Sequence, residues 1–346
     1  MTVKREFLGE TKQGAPIYGY HITNNNGTEL CVLNYGAAIR NIFVKDKNGD
    51  KKDVVLGFDD VTGYLDNSCF LGVVVGPSAN RVANGKYSID GKTYTMAIND
   101  GPNNLHSDFD NGFHKRVWDA SEDSDSVTFT LKAEDGDLGF SGNREFSVTY
   151  SLSDDDAVSI HYHATSDART LMNITNHCYF NLGGHNSGTI LNHVAQFNAS
   201  MTTPVGEGLI PTGEIVSVEG TPFDFRKAKP IGKEIDADNE QLKLGSGYDH
   251  NLIIDGADGT RRTFATVTCP ETGITMQCST TLPAFQFYAG NFLTAENAKD
   301  GATYGKRDGF CLETQFHPDC INHDNFPDPV FGPEREYDSV TVYKFS

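Results

Sequence analysis

The amino-acid sequence predicts an all-β protein, a large antiparallel β-sandwich with few short helices. Three observations lead there. Asn-Gly and Asp-Gly pairs recur at Asn26-Gly27, Asn48-Gly49, Asp90-Gly91, Asp135-Gly136, Asp255-Gly256 and Asp258-Gly259. Such pairs tolerate positive φ at both central positions, as tight hairpin turns require. The segments between turns are β-rich: YSIDGKTYTM (87–96), SVTFTL (126–131), EFSVTYSL (145–152), AVSIHYHAT (157–165) and the hairpin-like FATVTCPETGITMQCSTT (264–281). Helical periodicity is weak, with short helical turns expected near FDDVTGYLDN (58–67) and FRKAKPIGKEI (225–235) and little else.

No Gly/Ser/Pro linker and no fixed-period repeat divides the 346 residues. Sandwiches grow by adding strands, so one domain spanning 1–346 is expected, with two β-domains as the alternative. A net charge of −19 opposes binding to nucleic acid or to an anionic membrane surface. The N-terminal MTVKREFLGE lacks the apolar core of a signal peptide, and no later run approaches ~18 apolar residues, so a cytoplasmic protein is expected. Seven cysteines, odd in number and without a C-x-x-C pair, read as reduced and mostly buried thiols.

Several stretches carry groups suited to chemistry. In LGVVVGPSANRVANGKYSI (71–89) an apolar strand runs into a Gly/Pro/Asn loop bearing Arg81 between Asn80 and Asn84. That arginine is either a surface residue or a fork of donors aimed into a pocket. NDGPNNLHS (99–107) is a polar loop that presents His106. In LMNITNHCYFNLGG (171–184), strand alternation gives one mainly apolar face and one wholly polar face of Asn173, Thr175, His177, Tyr179 and Asn181. A solvated outer face and a sugar site both fit that polar row, because each sugar hydroxyl donates and accepts.

GSGYDHNLII (245–254) sets Asp249 after a flexible turn, as a turn cap or as a ligand group. TLPAFQFYAGNF (281–292) holds Gln286 among aromatics, where a buried amide needs partners. GFCLETQFHPDC (309–320) is a strand whose apolar face opposes Cys311, Glu313, Gln315 and His317. His161 and His163 share a strand face, but no third ligand is near them in sequence and no metal is expected. There is no G-x-S-x-G elbow, no cysteine nucleophile signature and no Gly-rich phosphate loop opening a helix. What remains is a carboxylate base, an imidazole acid, a guanidinium and amides on a β-framework, the parts for proton transfer on a neutral polyol.

Taken in order, GPSANRVANGKY, NNLHS, NITNHCYFNLGG, GYDHN, AFQFYAGNF and GFCLETQFHPDCIN resemble the aldose 1-epimerases, the galactose mutarotases. These motifs span residues 76–322, and flanks of the same character extend the resemblance over essentially the whole chain. One departure is Pro77-Ser78, where a Gly-Arg type pair is expected; it alters loop shape more than chemistry.

The resemblance implies the galactose mutarotase-like supersandwich with an open cleft. It implies Glu313 as general base and His177 as general acid, and Arg81, His106 and Asp249 as sugar-orienting groups. Gln286 and Asn80 are further ligand contacts in this reading. The implied reaction interconverts the α and β anomers of a free hexose such as galactose or glucose. It needs a monosaccharide, no cofactor and no metal, and the protein is expected to be a monomer or homodimer.

Three alternatives stay open. A hexose 6-phosphate mutarotase would pair phosphate with cations such as Lys86, Lys115 or Arg116; a non-catalytic carbohydrate-binding sandwich needs no acid and base; a glycosidase would use Asp249 and Glu313 as its carboxylate pair. The negative surroundings are expected to raise the His177 pKa.

Overall fold

The structure, a computed structural model, describes residues 2–346. Every strand pairing within its named sheets is antiparallel. An N-terminal meander of five strands runs in chain order: Thr2–Glu10, Pro16–Thr23, Glu29–Leu33, Ile39–Lys45 and Lys51–Asp53. Asn26-Gly27 and Asn48-Gly49 lie in two of its connections. A nine-stranded sheet is centred on Arg144–Leu152, Ala157–Ser166, Tyr337–Phe345 and Thr275–Thr280. A third, five-stranded sheet is ordered Val216–Ser217, Met201–Thr202, Asp249–Ile253, Ala284–Tyr288, Cys311–Gln315.

Alternation builds the nine-stranded sheet. Phe146, Val148, Tyr150 and Leu152 of one strand, and Val158, Ile160, Tyr162 and Ala164 of its neighbour, are all buried on one face. The hydrophobic cluster they join also takes in Tyr20, Ile22 and Val32 of the meander and Phe285, Phe287 and Leu312 of the third sheet. Edge contacts such as Tyr20–Phe129 and Phe197–Phe285, with ring centroids 5.5 and 5.3 Å apart, tie the layers together. This is sandwich packing, as the strand pattern predicts.

Turn chemistry is more selective than the dipeptides suggest. Only Asp90-Gly91 has both residues at positive φ (52° and 78°), closing the Lys86–Ile89/Lys92–Thr95 hairpin; at the other pairs the glycine alone is left-handed. The two α-helices are six residues each. Val61–Asp66, within the expected 58–67 segment, is capped by the Asp60 side chain, which accepts from the Gly63 N–H. In the 225–235 segment the one helical turn is the 3₁₀ turn at Ile231–Lys233, which follows a short strand at Lys229–Pro230. The second helix lies further on, at Glu240–Gly245, where Asn239 accepts from the N–H groups of Gln241 and Leu242.

The 171–184 stretch departs from the strand expectation. Only Thr170–Leu171 and Thr175–Asn176 are paired as strands, and both supposed faces are buried. Its polar side chains bond main-chain groups instead: Asn173 takes the Phe316 N–H, and Asn181 donates to Gly188 and Asp308 carbonyls. His161 and His163 pair with Asp338 and Glu336 on the exposed face of the nine-stranded sheet.

Six buried histidines make the fold acid-sensitive. Burial holds His114 and His250 down to about 3, His177, His193 and His317 to about 4, and His106 well below its ordinary value. A depressed folded-state pKa means that the unfolded chain binds more protons below about pH 6.5. The stability these groups give is whole above that pH and is lost as pH falls toward 4. Buried Glu313, Asp249 and Asp319, with raised values, act in the opposite sense but are three against six. Differential scanning calorimetry should show Tm lower by at least about 5 °C at pH 4.5 than at pH 7. An unchanged Tm would mean that the histidines are not neutral in the folded protein.

Candidate active site

The cleft is assembled by strand register. In the third sheet Asn251 faces Gln286, which faces Glu313; one step along, Asp249 faces Tyr288, which faces Cys311. All residues of Ala284–Tyr288 and Cys311–Gln315 are buried. Alternation sends Phe285, Phe287 and Leu312 into the core and Gln286, Tyr288 and Glu313 toward a cavity of about 210 Å³. The opposite wall comes from two loops. Arg81–Val82 pairs with Asn104–Leu105, so the Arg81 loop and the His106 loop are one unit.

That unit is cross-linked by its own polar groups. His106 N–H donates to the Asn80 carbonyl at 3.0 Å, and Asn80 N–H donates to His106 Nδ1 at 3.2 Å. The Ser107 hydroxyl bonds both the Ser78 N–H and the Ser78 carbonyl. Phe70, Asn80 and His106 all line the cavity and all have φ near +60°, a costly conformation that these bonds hold in place at Asn80 and His106.

All seven residues singled out from the sequence line this cavity: Asn80, Arg81, His106, His177, Asp249, Gln286 and Glu313. His177 Nε2 lies 3.7 Å from Glu313 Oε1, and both side chains are almost wholly buried. Glu313 Oε2 has no partner and is free to take a proton. Phe70 packs over both imidazoles, and Tyr179 and Tyr288 complete the wall around His177. Gln286 is held rigidly: its Nε2 donates to Asp249 Oδ1 at 2.7 Å, and its Oε1 accepts from Gln315.

Sequence reading missed Asp100. Its carboxylate accepts from Arg81 Nε at 2.8 Å and fixes the guanidinium, leaving the terminal nitrogens for a ligand. An acid six residues before His106 in the polar loop was the available signal. It also missed Phe292, 60% exposed at the cavity mouth within AFQFYAGNF. His317, grouped with Glu313 by alternation, lies beyond the strand end and packs on Phe326 instead.

Burial raises Glu313 well above the usual carboxylate range, reinforced by Asp249 and opposed by Arg81. It lowers His177 to about 4, opposed only by the ring's contact with its own carbonyl. The expected upward shift of His177 is therefore corrected: desolvation of the enclosed ring lowers it, and Glu313 is the group whose pKa is lifted. His106, His177 and Glu313 offer atoms within 4.8 Å of one another, close enough for a cation. But His106 Nδ1 accepts from a main-chain N–H, so its neutral ring carries the proton on Nε2 and presents a donor, not a metal ligand.

A profile of the family described as aldose 1-epimerase matches residues 18–344. The chain belongs to the aldose 1-epimerase family. A galactose mutarotase from Bos taurus is 40% identical over all of this chain and 99% of its own length. An aldose 1-epimerase from Escherichia coli is 38% identical over 96% of each chain. Among solved structures, an aldose epimerase homologue from C. elegans superposes with a TM-score of 0.88 at 33% identity, covering 99% of both chains. A galactose 1-epimerase from Lactobacillus acidophilus gives 0.86 at 29% identity, over 100% of this chain and 99% of its own. The sandwich predicted from strand pattern is thus the fold of this family.

Proposed function

We propose that the cleft interconverts the α and β anomers of a free hexose, galactose or glucose, by opening and reclosing the ring. The observation that carries this reading is the buried carboxylate and imidazole facing one another at 3.7 Å in a cavity below the ~300–1,000 Å³ of drug-sized sites. Glu313 takes the C1 hydroxyl proton while His177 gives a proton to the ring oxygen. The C1–O5 bond then breaks, the aldehyde turns about C1–C2, and the ring recloses on its other face. The rigid donors and acceptors of Arg81, Asn80, His106, Asp249 and Gln286 suit a ring of hydroxyls.

Glu313 and His177 share one proton, and the form with that proton on the imidazole does the work. A bell-shaped pH profile follows. Its acid limb lies near the His177 value of about 4, where a second proton arrives, and its alkaline limb lies at the raised Glu313 value, where the shared proton is lost.

A hexose 6-phosphate is the weaker reading, because among the described residues Arg81 is the one Lys or Arg lining the cavity. Arg116 is engaged by Asp137 through two bonds, and Lys115 donates to the Leu65 carbonyl outside the cleft. The hydrophobic cluster shared by the three sheets supports treating 1–346 as one catalytic unit. Free cysteines at all seven positions favour a reducing, cytoplasmic setting. No helix among the described residues is long and apolar enough to cross a membrane.

Exchange NMR between the anomeric proton signals tests the assignment. Cross-peaks should build quickly with galactose and glucose and slowly with glucose 6-phosphate, and a nitrophenyl galactoside should stay intact. Faster exchange on the phosphate, or release of nitrophenol, would overturn it. Arg81→Met should lower kcat/KM about 10- to 100-fold, partly through KM, the scale of a lost charge-assisted hydrogen bond. Asp100→Asn, which leaves Arg81 charged but weakly held, should fall between. Wild-type kinetics in Arg81→Met would place that residue outside the reaction.

A further inference from the structure

Asp319 is buried behind the cleft, past the end of the strand that carries Glu313, and does not line the cavity. It nonetheless meets the Arg81 loop twice. Its main-chain N–H donates to the Arg81 carbonyl at 2.9 Å, and its Oδ1 accepts from the Ala83 N–H at 3.0 Å. In an extended strand the carbonyl of one residue and the N–H two residues on point to the same edge. Asp319 therefore occupies one edge of the short Arg81–Val82 strand, which also pairs with Asn104–Leu105. Asp319 is itself fixed. Asn322 Nδ2 donates to Oδ1 at 2.6 Å, the Asn322 N–H donates to the Asp319 carbonyl at 2.9 Å, and His323 Nε2 lies 3.4 Å from Oδ2. Its φ of 55° is one that Asp and Asn adopt more readily than other non-glycine residues.

We propose that Asp319 is a positioning residue for Arg81: it ties the backbone of that residue to the segment that continues from Glu313, and so sets the spacing between the sugar-orienting guanidinium and the base. Asp100 then fixes the guanidinium through Nε. Backbone and side chain of Arg81 are thus held by two different carboxyl groups, neither of which lines the cavity. The clasp on Ala83 needs an acceptor oxygen and not a charge, since Oδ1 can accept in either protonation state. This inference rests on Arg81 as a sugar-orienting group.

Asp319→Gly removes the oxygens and accepts positive φ without strain. It should lower kcat/KM about 3- to 10-fold, the worth of one neutral hydrogen bond, mostly through KM. Asp319→Asn keeps Oδ1 and should stay within two-fold of wild type. A double-mutant cycle separates positioning from general support of the fold. In the Arg81→Met background Asp319→Gly should cost less than two-fold further, because no guanidinium is left to place. An undiminished loss in that background would overturn the proposal. So would wild-type kinetics in Asp319→Gly, or a loss in Asp319→Asn as large as in Asp319→Gly. If Asp319→Gly fails to fold, Asp319→Ser, whose hydroxyl stops one bond short of Oδ1, replaces it in the cycle with the same expectations. Failure of the Arg81 assignment is seen separately, as wild-type kinetics in Arg81→Met alone, and would remove both.

Discussion

Glu313→Gln lowers kcat by about 10²–10⁴-fold with little change in KM. The amide keeps the shape of the side chain and its place opposite Gln286, so the sheet and the sugar contacts survive. What goes is the carboxylate oxygen Oε2, which has no hydrogen-bond partner within the protein. Removing a group buried at 2% exposure and raised by desolvation also relieves an electrostatic cost, so the variant should unfold at the same Tm or higher at pH 7. Low activity with higher Tm marks a catalytic residue, whereas a structural residue would lose both. Activity within a few-fold of wild type would remove Glu313 from the base role.

His177→Asn lowers kcat by a comparable ~10²–10⁴-fold and changes the shape of the pH profile. With the imidazole gone, the pair no longer shares a proton and only Glu313 titrates. Residual activity should rise with pH through the elevated Glu313 value and then level, with no alkaline fall and no limb near 4. A steady-state pH series corrected for spontaneous anomerisation shows this. If the variant keeps both its activity and its alkaline limb, another group is the acid. His106, whose ring meets that of His177 edge-on at 5.4 Å, is then the first to test.

The contrast between what the sequence revealed and what it hid has physical causes. Arg81, His106, His177, Asp249, Gln286 and Glu313 were legible because each sets a polar or charged group inside an apolar or turn-rich stretch, where burial demands a reason. The core strands were legible because alternation is dictated by the pleat, as at 145–152 and 157–165. Supporting groups were not. Asp100 bonds Arg81, and Gln315 bonds Gln286 and Asn251; such pairing depends on loop closure and strand register. Alternation misled at 171–184, where side-chain amides bond the main chain and replace a regular ladder, and at His317, which falls just past the strand end. The direction of the His177 shift also lay beyond the sequence. Net charge acts from a distance, while desolvation depends on the ring's enclosure by Phe70, Tyr179 and Tyr288.

The most direct test of the central claim is polarimetry on freshly dissolved α-galactose at neutral pH, with and without the purified protein. Catalytic amounts of wild type should speed the approach to the same final rotation far beyond the spontaneous rate, while Glu313→Gln should leave it near that rate. A wild-type trace that overlays the spontaneous one would contradict the account, and so would a Glu313→Gln trace that overlays wild type.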